Sequence, residues 1–312
     1  MTESAGRPAS PGGIAKRLRA AGLDPAEVTA VAAAALAEDL AGGADVTTAA
    51  TVPVAERGRA DLVPRAPGVL AGLVIAETVF GLVSEDLTVE PLAADGDRAR
   101  PGASVLRVTG PVAPILTAER TALNLLCHLS GIATLTRQWA DEIGGTGARV
   151  RDTRKSLPGL RALQKYAVRC GGGVNHRMSL SDAALIKDNH VAAAGSVAAA
   201  FAAVRARAPG LPLEVECDTL AQVAEALAAG ADLILLDNFT IADTAAAVRL
   251  AAGRALLEAS GGLTLATARS VAQTGVDYLA VGALTHSAPA LDIGLDLVQA
   301  NERIGPANAT DD

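Results

Sequence analysis

Between residues 148 and 282 the sequence alternates short β-prone runs with longer helical patterns, and this alternation constrains the fold more than any other feature of the chain. Such a series predicts a parallel sheet whose strands are joined by right-handed crossovers. The six strand candidates are ARVRDT (148–153), AALIKD (183–188), PLEVEC (212–217), DLILLD (232–237), ALLEAS (255–260) and DYLAVG (277–282). The helical patterns cover residues 158–169, 194–208, 219–229, 241–252 and 264–274.

Nearly every strand candidate ends in side chains or glycines that can bind ligands or take part in chemistry. One acidic residue after a strand is commonly a helix cap or a solvated turn. Six successive strands that end in this way are not explained by capping alone. The groups are Asp152-Thr153-Arg154-Lys155, Lys187-Asp188-Asn189-His190, Glu216, Asp237-Asn238, Glu258 with Ser260-Gly261-Gly262, and Gly282. In a closed barrel these ends share one rim, and we predict the active site there.

Charge is distributed unevenly along the chain. The formal net charge is −7, yet the segment from Arg149 to Lys187 holds nine basic residues and two acidic ones. Tyr166 is the only aromatic residue of that segment, so broad nucleic-acid binding is not indicated. The segment favours a small ligand with several negative charges. Its part over 161–169, which includes Lys165, is interpreted as a solvated helix face.

Five side chains of this basic segment are candidate ligands for carboxylates and phosphates. They are Arg154, Lys155, His176, Arg177 and Lys187. The chain has only four lysines, and two of them stand at strand ends. His176 and Arg177 follow a triple glycine over 171–173, so we expect a mobile or tightly turned loop and not a buried histidine.

Glu216 and Asp237 end two successive strand candidates, so we expect them to be neighbours at the rim. Paired carboxylates beside a cationic cluster suit acid–base work, a Mg²⁺ site or the binding of sugar hydroxyls. The sequence offers no His/Cys ligand set of the kind that binds zinc. Two glycine-bearing loops, SGG (260–262) and VGALTHS (281–287), are typical of phosphate-binding turns in α/β barrels.

The first 110 residues are organised differently. An Ala-rich helix is predicted at about 24–40, and the Gly- and Pro-rich segment 42–110 predicts strands joined by tight turns, with one helix near 73–83. A long helix follows over about 114–143, with Thr117 as its cap.

The remaining features concern compartment and membrane. The three cysteines are far apart and predict no disulfide framework. The polar N-terminus carries no apolar signal core, and the most apolar stretch, 191–204, is too short to span a bilayer. We therefore expect a cytoplasmic protein.

At these residues the chain resembles the quinolinate phosphoribosyltransferase family. The resemblance extends from about residue 37 to 298, and the long ordered run over 152–190 carries most of its specificity. The matching segments are EDLAGGADVTT (38–48), ERTALNLLCHLSGIATLT (119–136), DTRKSLPGLRALQKYAVRCGGGVNHRMSLSDAALIKDNH (152–190), EVECDT (214–219), LLDNF (235–239), EASGGL (258–263) and VGALTHSAPALDIGLDL (281–297). One departure is GGADVTT, which has one residue more than the usual GDxTT.

The resemblance implies an α/β protein with an N-terminal α/β sandwich domain (23–130) and a C-terminal incomplete TIM-like barrel (131–303), the type II phosphoribosyltransferase fold. Residues 1–22 and 304–312 are expected to be tails. It further implies a homodimer, often domain-swapped, in which Arg120 completes the partner's site. The implied reaction converts quinolinate and phosphoribosyl pyrophosphate to nicotinate mononucleotide, pyrophosphate and CO₂ with Mg²⁺, in de novo NAD biosynthesis.

The resemblance also assigns roles by motif position. The basic residues Arg154, Lys155, His176, Arg177 and Lys187, with Thr153, would hold the quinolinate carboxylates and neighbouring phosphates. Glu216 and Asp237 would hold the ribose hydroxyls or Mg²⁺, directly or through water. The 5′-phosphate would lie against Ser260, Gly261, Gly262, Val281, Gly282, Ala283 and His286. The residues expected to act in catalysis are Lys155, Lys187, Glu216 and Asp237.

Three other functions remain open at this point. A phosphoribosyltransferase acting on nicotinate would need fewer cations, because its substrate has one carboxylate. A lyase or aldolase would use Lys155 or Lys187 as a Schiff base in apolar surroundings. A non-catalytic phosphometabolite-binding protein would not need Glu216 and Asp237.

Overall fold

The structure is a computed structural model that describes residues 11–299, and side chains from residue 12 to 298. The chain divides into two compact units, residues 1–131 with 290–312, and residues 132–289. The expected tail over 304–312 and the first ten residues lie outside the described part. Within that part no single helix is long and apolar enough to cross a membrane; residues 12–20 and 25–39 pass only as a pair, bent by 111°.

The first unit contains a four-stranded antiparallel sheet in the order β12-β1-β5-β3 and a two-stranded sheet β2-β4. Its strands are β1 (Arg57–Pro64), β2 (Gly68–Val69), β3 (Thr88–Pro91), β4 (Arg98–Ala99), β5 (Leu106–Pro111) and β12 (Ile293–Gln299). Its helices are α1 (Pro11–Ala20), α2 (Pro25–Asp39), α3 (Val46–Thr51) and α4 (Leu73–Val83), and α5 (Val112–Glu142) begins in this unit. The side chains of Leu62, Leu106 and Phe80 are fully buried in this unit.

Local sequence explains the helix starts in this unit. Asp24 caps α2 by accepting a hydrogen bond from the amide of Ala26, and Pro25 occupies the first helical position, where a missing N–H costs nothing. Asp45 caps α3 in the same way. The cap predicted at Thr117 is wrong, because α5 begins five residues earlier, at Val112.

The structure corrects two expected boundaries. The expected tail over 1–22 contains helix α1, which is fixed because Leu18 is buried and Arg17 forms an ion pair with the buried carboxylate of Glu77. The expected barrel range, 131–303, includes β12, but this strand pairs antiparallel with β1 in the first unit. Without β12, β1 would be an edge strand with unpaired backbone groups.

The second unit is built on a parallel sheet in the order β6-β11-β10-β9-β8-β7. Its strands are β6 (Arg149–Arg151), β7 (Ala184–Ile186), β8 (Leu213–Cys217), β9 (Leu233–Asp237), β10 (Leu256–Ser260) and β11 (Tyr278–Ala280). Its helices are α6 (Arg161–Cys170), α7 (Asp188–Ala194), α8 (Val197–Arg207), α9 (Leu220–Ala228), α10 (Ile241–Ala251), α11 (Leu265–Ala272) and α12 (Ala283–His286).

Val174 extends this sheet beyond β6 through a parallel bridge to Arg151. Among the described residues no pairing joins Val174 to β7, so the arc stays open there, as expected for an incomplete barrel. All six strand candidates and the five helical patterns of this region are confirmed. Helix α7 was not predicted, because the pattern was assigned to a helix that began only at residue 194.

Candidate functional site

The carboxyl ends of the parallel strands meet at one edge of the second unit, which we call the rim. Because the strand order is known, the rim groups follow one another along the arc. In that order they are Lys155 after β6, Gly282 after β11, Ser260-Gly261 after β10, Asp237-Asn238 after β9, Glu216 on β8 and Lys187 after β7. The prediction that strand ends assemble these residues on one rim is therefore confirmed, and the contacts below connect neighbouring groups.

Lys187 and Glu216 form an ion pair at one end of the arc. The Lys187 Nζ donates to Glu216 Oε2 at 2.6 Å. Their strands are adjacent, since Ile186 lies opposite Val215 in the sheet. The Lys187 side chain is 48% exposed, whereas that of Glu216 is mostly buried. The pair holds a carboxylate at the rim and keeps a cation beside it in solvent.

Asp237 lies on the strand next to Glu216, and its surroundings are tightly packed. The side-chain amide of Asn238 donates to Asp237 Oδ2 at 2.7 Å, and the backbone amide of Asn238 donates to the carbonyl of Ser260 at 2.9 Å. Gly261 has φ +86°, and a Cβ there would lie 2.2 Å from Asn238 Oδ1. Glycine is therefore required at 261 both for its backbone conformation and for the close approach of the two turns.

At the other end of the arc, Lys155 contacts the second glycine-bearing loop. Thr285 Oγ1 donates to the Lys155 carbonyl at 2.8 Å, and the amide of Lys155 donates to Thr153 Oγ1 at 3.0 Å. A Cβ on Gly282 would lie 3.1 Å from Lys155 Cδ and 3.3 Å from His286 Nε2. The absence of a side chain at 282 leaves room for Lys155 and His286 beside the loop.

The other residues expected to hold a phosphate lie on the same two loops. Val281 is buried, and its backbone amide donates to the Arg151 carbonyl, so its own N–H is already used. Ala283 begins α12, while Gly262 follows Gly261 with a φ of +59° and open space around it. These backbone segments are brought together by the pairing of β10 with β11.

Arg154 and Arg177 are two half-buried guanidinium groups that lack a complete set of partners. The Nε atoms of both are buried without a hydrogen-bond partner. Arg177 Nη1 donates to the Ala183 carbonyl at 3.0 Å. Burial, and next the positive charge of Arg154, lower the pKa of Arg177. Two neighbouring cations with unused buried donors are chemically suited to binding an anion.

His176 differs from expectation, because it is buried. Its Nε2 lies 2.8 Å from Glu214 Oε2, and its Nδ1 accepts a hydrogen bond from the backbone amide of Arg177 at 2.7 Å. A carboxylate accepts and an amide donates, so these contacts assign the ring proton to Nε2. The triple glycine lets the chain pack closely: a Cβ on Gly173 would lie 2.8 Å from Thr136 and Val168 side-chain carbons.

A buried ionic cluster beneath the rim was not predicted as part of the site. Arg151 Nη1 lies 2.5 Å from Glu258 Oε2 and 4.0 Å from Glu214 Oε2. Burial, and next the charge of Glu214, raise the pKa of Glu258 to about 8. His176, Glu214 and Glu258 lie close enough together to ligate a cation. The guanidinium of Arg151 already supplies the positive charge of this cluster.

The signal that could have found Glu214 is the period of two along β8. Side chains two residues apart on a strand share a face, so Glu214 belongs on the same side of the sheet as the predicted Glu216. Of the two acidic residues in the run EVEC (214–217), only Glu216 was predicted to belong to the site.

The interpretation of Lys165 as helix surface is wrong. Its side chain is fully buried, and Nζ forms an ion pair with Asp152 and donates to the His176 carbonyl at 2.8 Å. Asp152 also accepts from the His176 amide at 2.8 Å and from Asn175 Nδ2 at 2.5 Å. Burial raises the pKa of Asp152 and lowers that of Lys165, and their mutual attraction opposes both shifts.

Arg120 lies in the first unit, exposed on α5. It borders a cavity of about 560 Å³ together with Leu116, Thr117 and the loop 39–46. This loop contains the glycine pair of GGADVTT, and a Cβ on either Gly42 or Gly43 would meet open space. The extra residue is therefore accommodated on the surface beside Arg120.

The carboxylates at the rim fit a hard divalent cation. The second oxygens, Glu216 Oε1 and Asp237 Oδ1, have no hydrogen bond among the described residues, so each carboxylate keeps one oxygen for a ligand. Mg²⁺ is commonly bound by one or two carboxylates and substrate phosphates. These two residues satisfy the requirement on the protein side.

Comparison with known proteins gives a consistent result over both units. The family model described as quinolinate phosphoribosyl transferase, C-terminal domain, matches residues 132–296, and the model of the N-terminal domain matches residues 45–130. The nicotinate-nucleotide pyrophosphorylase (carboxylating) of Mycobacterium leprae is 57% identical over 270 residues, covering 84% of this chain and 94% of that protein.

Solved structures are similar in the same way. NadC from Streptococcus pyogenes superposes with a TM-score of 0.84 at 42% identity, covering 89% of this chain and 99% of that one. Human nicotinic acid phosphoribosyltransferase has a TM-score of 0.57 at 17% identity, covering 78% of this chain and 71% of that one. The second likeness concerns the fold alone.

Proposed function

This chain belongs to the quinolinate phosphoribosyltransferase family, and from that membership we propose how the rim of its second unit carries out the family's reaction. The enzyme transfers the phosphoribosyl group of phosphoribosyl pyrophosphate to quinolinate and releases one carboxyl group as CO₂. The products are nicotinate mononucleotide, pyrophosphate and CO₂, in de novo NAD biosynthesis. The roles of individual residues below are proposals.

Arg154 and Arg177 bind the two carboxylates of quinolinate. The observation that carries this proposal is the pair of buried Nε atoms without hydrogen-bond partners on two neighbouring guanidiniums. Leaving buried charged donors unsatisfied is costly, and a dianion satisfies both at once. Thr153 precedes Arg154, and Lys187 supplies a further cation from the other end of the arc.

The phosphoribosyl donor lies along the rest of the arc. Its 5′-phosphate is held by the loops Ser260-Gly261-Gly262 and Val281-Gly282-Ala283, with His286 alongside. Lys155, whose Cδ faces Gly282, neutralises phosphate charge. Glu216 and Asp237 face the ribose, where the departure of pyrophosphate leaves positive charge on the anomeric carbon that carboxylates stabilise.

Mg²⁺ is the proposed cofactor, held by Glu216 and Asp237 directly or through water. When bound, it neutralises charge on the pyrophosphate leaving group. The fit rests on the free second oxygen of each carboxylate. Activity that is abolished by a chelator and restored by Mg²⁺, with a raised Mg²⁺ requirement in Glu216→Gln, would support the assignment. Full activity in chelator would refute it.

Phosphoribosyl transfer precedes decarboxylation in the proposed sequence. The ring nitrogen of quinolinate bonds to the anomeric carbon as the bond to pyrophosphate breaks. The electron pair of the broken bond to CO₂ then stays on the adjacent ring carbon, where the positive charge of the pyridinium nitrogen stabilises it, and that carbon takes up a proton. Release of CO₂ from quinolinate in the absence of phosphoribosyl pyrophosphate would contradict this order.

Two assays test the function and its nearest alternatives. Purified enzyme should form nicotinate mononucleotide and stoichiometric CO₂ from quinolinate, and should use nicotinate poorly because one guanidinium would then remain unpaired. A Schiff-base lyase is disfavoured because Lys187 is ion-paired with Glu216 and 48% exposed, and therefore lacks the apolar surroundings that such a lysine requires. Borohydride trapping of a carbonyl substrate on Lys155 or Lys187 would reverse that conclusion.

We further propose that the active enzyme is a homodimer in which Arg120 completes the partner's site. The support is that Arg120 is exposed beside a cavity of the first unit. Arg120→Ala should fold normally yet be inactive. Mixing it with Lys187→Ala protomers should restore part of the activity when heterodimers form. Verified heterodimers without activity would refute the shared site.

A further inference from the structure

His176 has no ring nitrogen left for a ligand in this structure. Nε2 faces Glu214 Oε2 at 2.8 Å, and Nδ1 accepts the Arg177 amide at 2.7 Å. A direct bond from either nitrogen to a substrate carboxylate would first have to break one of these contacts. We therefore expect His176 to act indirectly, through the hydrogen bond that its Nδ1 accepts from the backbone amide of Arg177.

The backbone of His176 is fixed independently of its ring. Its amide donates to Asp152 Oδ1 at 2.8 Å, and its carbonyl accepts from the Lys165 ammonium at 2.8 Å. The following residue, Arg177, has an amide that donates only to the imidazole. The ring is thus the link between this rigid anchor and the residue proposed to bind quinolinate.

Glu214 determines which nitrogen of the His176 ring carries the proton. Its oxygen Oε2 accepts a hydrogen bond from Nε2–H, so the proton lies on Nε2 and the lone pair of Nδ1 is left for the Arg177 amide. With the proton on Nδ1 instead, two N–H groups would face each other at 2.7 Å. Arg151 Nη1 lies 4.0 Å from the same Glu214 oxygen and 2.5 Å from Glu258 Oε2, so a guanidinium also faces this acceptor.

We propose that Glu214 is a positioning residue for quinolinate binding, which holds His176 in its Nε2–H form and thereby orients Arg177. This inference rests on the proposed role of Arg177 at the quinolinate carboxylates. It assigns function to a buried residue beneath the rim that does not itself touch the substrate.

The test uses two variants of Glu214 of similar size and a matched control. Glu214→Gln keeps an oxygen acceptor for Nε2–H, whereas Glu214→Met removes it. Asp232→Asn serves as the control, because Asp232 is an exposed acidic residue just before β9, away from the rim, and its side chain pairs with Arg205. All three are compared with the wild-type enzyme in thermal unfolding, steady-state kinetics and spectroscopy.

Spectroscopy reads the imidazole directly. The chain has four histidines, so ¹⁵N resonances of the His176 ring are assigned by comparison with His176→Asn. We expect the Nε2–H tautomer in the wild type and in Glu214→Gln, and a mixture of tautomers in Glu214→Met. An unchanged tautomer in folded Glu214→Met would overturn the inference without any reference to activity.

Steady-state kinetics measures the effect of these variants on substrate binding. Glu214→Met should raise KM for quinolinate about tenfold, the equivalent of about 1.4 kcal/mol, and should leave KM for phosphoribosyl pyrophosphate within about twofold. Glu214→Gln should recover most of the loss. Equal effects on both substrates, or no recovery by Gln, would identify a merely structural role.

A second variant covers the case in which Glu214→Met does not fold. His176→Asn places an amide oxygen near the position of Nδ1 and can still accept the Arg177 amide, whereas His176→Leu cannot. The Asn variant should bind quinolinate more tightly than the Leu variant, and equal binding would contradict the inference. If wild-type enzyme did not use quinolinate at all, the proposed function would fail, but the tautomer result would stand.

Discussion

The rim and the layer of charged residues directly beneath it differ in whether their buried cations have partners in the protein. Beneath the rim, Lys165 is paired with Asp152, and Arg151 with Glu258. At the rim, Arg154 and Arg177 keep buried donors without partners. The cations of the lower layer are paired with carboxylates of the protein, whereas the two rim guanidiniums keep buried Nε donors that a ligand can satisfy. We therefore expect the paired charges to matter chiefly for stability and the rim guanidiniums chiefly for substrate binding.

The largest effect is expected from removing both rim guanidiniums. Arg154→Ala with Arg177→Ala should lower kcat/KM for quinolinate by about 10³-fold or more, because hydrogen bonds to charged groups are worth about 1.5–3 kcal/mol each. The melting temperature should be unchanged or higher, since two cations that repel each other are removed. A large loss of stability in this variant would show that the rim charges are structural after all.

Breaking the lower layer should do the reverse. Lys165→Met leaves the Asp152 carboxylate buried without its cation, and removal of one member of a buried pair costs about 3–5 kcal/mol. Denaturant unfolding should show this loss in the free energy of unfolding, and Asp152→Asn added to Lys165→Met should recover part of it. A stable, active Lys165→Met protein would contradict the division between the two layers.

Two glycines allow the rim to be compared with the surface away from it at the level of the backbone. Gly261 and Gly253 both have positive φ, +86° and +76°, but only Gly261 lies against another residue, Asn238. Gly253→Ala should cost about 1–2 kcal/mol of stability from backbone strain alone. Gly261→Ala should cost more and should also raise KM for phosphoribosyl pyrophosphate. Equal losses in stability and unaltered KM values would exclude the packed turn as a phosphate site.

A dependence of stability on pH is also expected to arise from Glu258. Its pKa is raised from 4.5 to about 8, chiefly by burial, so the folded state binds more protons than the unfolded chain between these values. Stability contributed by this group therefore falls as pH rises from about 4.5 to 8. The melting temperature of Glu258→Gln should decline less over this window than that of the wild type. Parallel declines would show that Glu258 does not carry the proton.

Sequence patterns predicted the second unit well because its strands and helices are each encoded by a short stretch of contiguous residues. The strands from 212 to 282 are short apolar runs that end in polar residues, and each was found close to its predicted bounds. Glycines at strand ends predicted the turns at 260–262 and 281–287, and their role in binding phosphate stays a prediction. The missed helix α7 lies directly after Lys187, where His190 accepts from the Lys187 amide, an interaction that no periodicity reveals.

Burial of charged residues was the main source of error. Lys165 sits on a helix whose polar composition indicates a solvated face, and His176 follows three glycines that indicate mobility. Both are buried because Asp152, which is distant from each in sequence, accepts hydrogen bonds from the Lys165 ammonium and the His176 amide. The composition of a helix or loop cannot show that a buried polar group has a hydrogen-bond partner when that partner lies in another part of the chain.

The sequence by itself determined the order of the strands and helices along the second unit, the chemistry at the strand ends and the family to which the chain belongs. These follow from hydrophobic periodicity, turn residues and motif order, which are properties of contiguous residues. Only the tertiary structure decided which charges are paired and which are left for a ligand, that β12 belongs to the first unit, and that both nitrogens of His176 are engaged. Pairing depends on distances between residues far apart in the chain, and the free energy of a buried charge depends on those distances more than on its neighbours in sequence.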